Sequence, residues 1–354
     1  MKDYITNKFL SIFLILQIFF VGFISQKPDW IEKYYSNGIY PIISGFLRRL
    51  LGWIPISIGD LLYLLALFFF LRWILLLIRT HFAPFRQYLL CLGAHLSVIF
   101  FAFHMLWGFN YYRIPLYEQM GISSLKYTEE ELITASQIHI NQLNEIHQLI
   151  VRNDSIAVDV PYKRRLIFKM ASKEYQQLKI DSLDLHFKRK SIKNSLLSTS
   201  LSYMGFSGYL NPFTGEAQVN KRIPISTFPF TTCHEMAHQL GYASEDEANY
   251  IGYLACTNSE DLYFQYSGEL LAMQYLLYSI AQFDKDLYKE YLGKLNVGVR
   301  KNIQKNHDFW DSYHNPLEPY FKRFYDTYLK ANRQKEGIQS YNGMVGYLVK
   351  NKNR

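Results

Sequence analysis

Cysteine is scarce in this sequence, with three among 354 residues: Cys91, Cys233 and Cys256. So few exclude a disulfide framework and a cysteine-built zinc cluster. Cys91 sits in an apolar run and reads as packing. Cys233 and Cys256 flank a polar motif and can pair only if the fold brings their helices together. Internal repeats and low-complexity segments are absent, so neither a repeat array nor a biased-composition tail is expected. Nucleic-acid signatures are missing as well. The net charge is +8 and the pI about 9.1, yet Lys and Arg are scattered, with no helix-turn-helix, finger or RNP-type pattern. The basic balance therefore reads as a solvated surface near an anionic membrane, and no nucleic-acid partner is expected.

Apolar residues make up 49% of the chain while the mean hydropathy is only -0.09, so the apolar content must be concentrated. It is concentrated at the N-terminus, in three runs at about 9–24, 54–78 and 88–107, each near the roughly 20 residues a helix needs to cross a bilayer core. The first follows a charged start as a signal peptide would, but no small-residue cleavage site comes after it, which predicts a retained anchor. Asp60 reads as a capping or interfacial residue, and Arg72 as a side chain that snorkels. Lys2 and Lys8 before the first run, and Arg79 and Arg86 after the second, belong on the cytoplasmic side. Lys27, Lys33, Arg48 and Arg49 between the first two runs weigh the other way. The expectation is a multi-pass protein of the cytoplasmic (inner) membrane, with the lipid bilayer as partner and the rest of the chain outside the cytoplasm.

Two parts follow: a membrane anchor over 1–109 and a water-soluble domain over 110–354. In the second, Thr128 and Glu131 form a capping-box pattern before apolar residues at helical spacing from Leu132 to Leu149. Another helix is expected from Pro161 through Leu178. The stretch 191–220 is rich in Ser, Gly and Tyr, and Asn211-Pro212-Phe213-Thr214-Gly215 is a turn signal between two short strands. From Thr231 the pattern is helical again. The predicted fold class is mainly α: a three-helix transmembrane region, then an α+β domain with a small sheet and a helical C-terminal part.

The informative segment is TTCHEMAHQLGYASEDEANYIGYLAC. On a helix His234 and His238 lie four residues apart on one face, so two imidazoles can converge on one metal ion, and zinc is the expected cofactor. Glu235 is offset round the helix and can act as general base toward metal-held water. The five-residue pattern arises by chance in on the order of one chain in a hundred of this size. Gly241 is a natural helix stop. Ser244 and Glu247 read as a second capping box, opening a helix whose first residue, Glu245, offers a third ligand. Glu245 and Glu247 point about 200° apart on that helix, so they cannot both face the metal. Asn249, one turn beyond Glu245, can hydrogen-bond a ligating imidazole.

The motif resembles that of zinc peptidases of the gluzincin type, in which a helical Glu, a small residue three positions on and an Asp or Asn four positions on complete the site. Those positions here are Glu245, Ala248 and Asn249. The six residues between His238 and Glu245 are fewer than in most such enzymes. A metzincin is not indicated, because its third histidine would fall on Ser244. Over nearly its whole length the chain is similar to a bacterial membrane family called domain of unknown function 3810. The pieces that carry the likeness are IPISIGDLLY, GFNYYR, GFSGYLNPFTGEAQVN, CHEMAHQLGYASEDEAN and SYNGMV. The resemblance implies a zincin-like metallopeptidase fold and a zinc site, and assigns no substrate.

Further contacts are expected from residue type alone. The run Glu216 to Asn220, with Gln218 at its centre, is the candidate sheet edge for substrate, and Tyr266, His314 and Tyr341 are candidates to stabilise an oxyanion. The function expected is hydrolysis of peptide bonds in a peptide or protein substrate. The competing reading is a membrane receptor or sensor that holds a metal and binds peptide or cell-envelope ligands without cutting. Cleavage inside the bilayer is excluded, since the segment from Thr231 to Asn249 is too polar.

Overall fold

The computed structural model describes residues 2–81, 85–178, 185, 190–334 and 341–350; the side chains of 2–4, 341 and 342 lie outside that description. The chain forms two compact units, one of Met1–Ile114 with Asn211–Glu216, the other of Pro115–Leu210 with Ala217–Arg354. It is mainly helical with one small sheet.

The first unit contains α1 (Lys2–Ile24), α2 (Ile58–Arg79) and α3 (Phe85–Leu106). Their apolar spans of 20, 22 and 22 residues are long enough to cross a membrane. The expected bounds shift because hydropathy marks only the apolar part of a helix. Winding continues back through the polar start of α1, whereas α2 begins four residues later than expected, at Ile58, where Ser57 accepts the Asp60 N–H at 3.0 Å. Between α1 and α3, Ser11 Oγ donates to the Leu90 carbonyl at 3.0 Å and Gln17 Nε2 to Ser97 Oγ at 3.3 Å. Small and polar residues at such a contact satisfy one another where lipid offers no partner.

A helical stretch over 28–51, π-wound at Ile31–Ile39, joins the first two spans. Sequence reasoning did not anticipate it, because its Pro, Gly and paired Arg interrupt any helical period. It carries Glu32, whose carboxylate takes Arg113 Nε at 3.0 Å and Nη2 at 2.6 Å, the fork geometry suited to a planar pair. The same unit holds the turn 211–216. Glu216 there is fully buried and accepts the Gly59 N–H at 2.5 Å and the Thr214 hydroxyl at 3.0 Å. A carboxylate thus sits at the N-terminus of α2, where the helix dipole favours it.

In the second unit α4 (Glu129–Val151) opens on the expected capping box, with Thr128 Oγ1 accepting the Glu131 N–H at 3.2 Å and the Glu131 carboxylate accepting the Thr128 N–H at 2.9 Å. The next helix, α5 (Arg164–Gln177), starts three residues after Pro161, because Lys163 is still extended. Then come β1 (Ile192–Asn194), α6 (Ser198–Met204), β2 (Gly208–Asn211) and β3 (Glu216–Val219), in the spatial order β1-β3-β2. β1 runs parallel to β3, pairing Lys193 with Gln218. The link between β2 and β3 is too short for a crossover, so that pair is antiparallel.

The helices α7 (Phe228–Gln239), α8 (Glu245–Thr257) and α9 (Leu262–Phe283) form the centre, followed by α10 (Lys285–Lys294), α11 (Val297–Asp311), α12 (Glu318–Ala331) and α13 (Tyr341–Lys350). Every residue of α7 is buried. A helix this polar is sequestered only when its polar groups have partners or work to do. Around it pack Ile167, Tyr175, Tyr250, Phe264 and Leu270, and Tyr347 of α13 stacks on Tyr250 with centroids 4.6 Å apart.

Candidate metal centre

The site is built on the contact between α7 and α8. Gly252 makes the approach possible: a Cβ there would lie 2.9 Å from the His234 backbone nitrogen. The helix α7 ends in a Schellman motif, with the Gly241 N–H on the His238 carbonyl at 2.9 Å and the Tyr242 N–H on the Ala237 carbonyl at 3.3 Å. Gly241 takes φ +90° there, the left-handed region where a side chain would strain. The turn aims the Tyr242 carbonyl back at His238, whose Nδ1 lies 2.7 Å from it. A carbonyl only accepts, so Nδ1 carries the proton and Nε2 keeps its lone pair.

His234 and His238 stand with ring centroids 4.7 Å apart and planes nearly perpendicular. Glu245, the first residue of α8, reaches both. Its Oε2 lies 3.4 Å from His234 Nε2 and its Oε1 3.7 Å from His238 Nε2. Ligand atoms of His234, Glu235 and His238 also lie within 4.8 Å of one another. Burial pulls His238 down to about 4, keeping it neutral. Burial would raise Glu245, but the two imidazoles and Tyr325 hold it down to about 2, so it stays ionised. Two imidazole nitrogens and one carboxylate oxygen are the donor set of a three-ligand catalytic zinc site, and the residues fit that ion.

Glu235 is held differently. It is buried, its Oε2 has no hydrogen-bond partner, and burial together with the Glu245 charge pushes its carboxyl up to about 8 against the pull of His234. Gly208 of β2 leaves room for it, since a Cβ at that position would collide with the Glu235 carboxylate. Burial would lower His234, but Glu245 and Glu235, with Asn249 beside the ring, raise it above the usual imidazole value, and its Nδ1 closes no hydrogen bond of ordinary geometry.

Several expectations change. Glu247 is not the partner of Ser244 in a capping box: Ser244 makes no such bond, and Glu247 Oε1 instead accepts the Leu116 N–H at 2.7 Å. A buried orphan N–H elsewhere in the unit claims the carboxylate more strongly than a local cap does. The run 216–220 is not a sheet edge, because β3 lies between β1 and β2 and both its sides are paired. Gln218 is buried inside the sheet, and the edge beside Glu235 is β2. Tyr266 gives its hydroxyl proton to Asn302 Oδ1 at 2.8 Å. His314 is exposed and pairs with Glu318 at 2.9 Å. The Tyr341 side chain lies outside the described residues. Cys233 and Cys256 are neighbouring buried thiols that form no disulfide.

The residue missed by sequence reasoning is Tyr325 of α12, whose hydroxyl donates to Glu245 Oε1 at 2.5 Å. With 29 tyrosines in the chain, no spacing rule selects one that lies 80 residues from its partner. Gly208 was equally silent. Its role depends on a side chain that arrives from another element.

No curated protein and no solved structure matches the chain. Residues 35–349 match the family described as protein of unknown function, DUF3810. The match covers the 28–51 helical stretch from Tyr35 on, the last two spans, the sheet and the histidine helix together, and the chain belongs to the DUF3810 family.

Proposed function

We propose that the chain is a membrane-anchored, zinc-dependent peptidase. One observation carries the reading: His234, His238 and Glu245 converge on a common point while Glu235, on the same helix, keeps an unpartnered carboxylate oxygen in a buried setting. One zinc ion, held by those three residues, would polarise a scissile carbonyl and acidify the water beside it. Glu235 would take a proton from the attacking water and return it to the leaving amine, a role suited to a carboxylate whose proton affinity burial has raised. Tyr242 fixes the His238 tautomer, and Tyr325 fixes Glu245. The outer side of β2 can pair with an extended substrate by strand addition, which brings a peptide alongside Glu235. A receptor that binds without cutting needs the three ligands but has no use for a buried, unpartnered Glu235.

The three apolar helices anchor the chain in the bilayer. The charges of Lys2, Lys8, Arg79 and Arg86 favour the cytoplasmic side for those ends, which supports a metal centre outside the cytoplasm of an inner-membrane protein. The test is metal removal: purified protein should carry about one zinc per chain, lose peptide cleavage with a chelator and regain it with zinc. Full cleavage by metal-free protein would refute the reading.

A further inference from the structure

The second unit contains another constellation, a cleft of about 960 Å³ that none of the metal-centre residues lines. Its position follows from the sheet. The strands β1 and β3 run parallel and in register, Asn194 opposite Val219, so the chain leaves both at the same end. From β1 it enters the start of α6, bringing Ser198 and Thr199; from β3 it brings Lys221 and Arg222. Ligands of parallel sheets gather outside such carboxyl ends. The entry to α5 adds Lys163 and Arg164, and the end of α11 with the turn after it adds the rings of Phe309 and Tyr313.

Four cations thus line one concavity and no carboxylate does. Among the described residues none of the four is in an ion pair, although 30 acidic residues were available to the chain. Arg222 Nε is held by Thr199 Oγ1 at 2.9 Å, and the Arg164 guanidinium sits 5.2 Å over the Phe228 ring, so both forks are oriented. Two buried polar atoms in the lining are left without partners: Arg164 Nε, a donor, and Asn194 Oδ1, an acceptor. Such orphans are uncommon in folded proteins, and both belong to side chains that line the cleft.

We propose that this cleft binds a phosphorylated sugar or polyol, either free or as a lipid headgroup. The phosphate answers the four cations, with Arg164 and Arg222 supplying paired donors to its oxygens. The hydroxyls of a sugar or polyol supply hydrogen-bond donors toward the Asn194 oxygen, which the ionised phosphoryl group of the ester lacks. The rings of Phe309 and Tyr313 give the carbon skeleton an apolar wall. The site stands independently of the zinc reading, because no residue is shared.

The test uses the full chain in phosphocholine nanodiscs, titrated calorimetrically with glucose 1-phosphate, inorganic phosphate and glucose at constant salt. Glucose 1-phosphate should bind saturably and more tightly than phosphate, and glucose should give no signal. Arg164→Gln with Arg222→Gln should weaken binding by about 10-fold or more, and the exposed Lys221→Gln, which spares the fold, should weaken it by a smaller factor. The pair Lys301→Gln and Lys305→Gln, outside the cleft, should leave it unchanged. Phosphatidylglycerol in the discs should compete with glucose 1-phosphate if the source is a headgroup, and should not if it is a free metabolite. Absence of saturable binding, or equal weakening by the outside pair, would overturn the proposal.

Discussion

The hydroxyl of Tyr325 donates to Glu245 Oε1 across 2.5 Å, tying α12 to the first residue of α8. The bond holds the carboxylate in the orientation from which it meets both imidazoles, and the Tyr325 ring packs edge-on against Phe206 with ring centroids 5.0 Å apart. Outer partners of a metal ligand typically contribute 10- to 100-fold in metal affinity. Tyr325→Phe should therefore weaken zinc retention by about 10-fold in competition with a chromogenic chelator, with the thermal midpoint of the metal-free protein little altered. Unchanged zinc affinity would mean that Tyr325 only packs.

Glu245 and Glu247 lie two residues apart and do different work. Glu245 faces the imidazoles, while Glu247 accepts the Leu116 N–H at 2.7 Å. Glu245→Gln should lose zinc. Glu247→Gln should keep it and, with an amide oxygen still able to accept the Leu116 N–H, lower stability by no more than about 1 kcal/mol. Zinc analysis beside a denaturant titration separates the two, and the reverse pattern would reassign the third ligand.

Gly208 is predicted to be intolerant for a chemical reason. A side chain there would collide with the Glu235 carboxylate and would also come within 2.8 Å of the Gln218 carbonyl oxygen. Gly208→Ala should keep the zinc and cut turnover by about 100-fold, since displacement of a catalytic group by roughly an ångström costs that much. Turnover near the wild-type rate would place Glu235 elsewhere during the reaction.

The charge pattern predicts which side of the membrane holds the metal centre. Reporter fusions placed after Ile114 should be active only outside the cytoplasm. Activity only inside would show that Arg48 and Arg49 outweigh Arg79 and Arg86.

How much of this was legible in the sequence depends on range. His234, Glu235, His238 and Gly241 are read within one helix and its stop, where the period of the helix and the Schellman geometry leave little freedom. Thr128 with Glu131 and the three apolar spans are similarly local. The errors arise where a distant group competes. Local sequence assigns Glu247 to Ser244, three residues before it, and the fold gives it to Leu116, 131 residues distant. The strand around Gln218 alternates like an edge strand, yet the parallel neighbour β1 covers it. Arg113 and Glu32, 81 residues apart, belong to one ion pair that accounts for the arginine of GFNYYR. Glu216 likewise explains its motif only once Gly59 is brought to it.

The central claim is that Glu235 is a base and not a ligand, and one variant tests it. Glu235→Gln keeps the shape of the side chain while removing its capacity to take a proton at catalytic pH. Zinc content and peptide cleavage should be measured on the same preparations of wild type, Glu235→Gln and His234→Ala. Zinc retained at the wild-type ratio with cleavage abolished in Glu235→Gln, and zinc itself lost in His234→Ala, is the result the metal centre predicts. Cleavage persisting in zinc-loaded Glu235→Gln would contradict it.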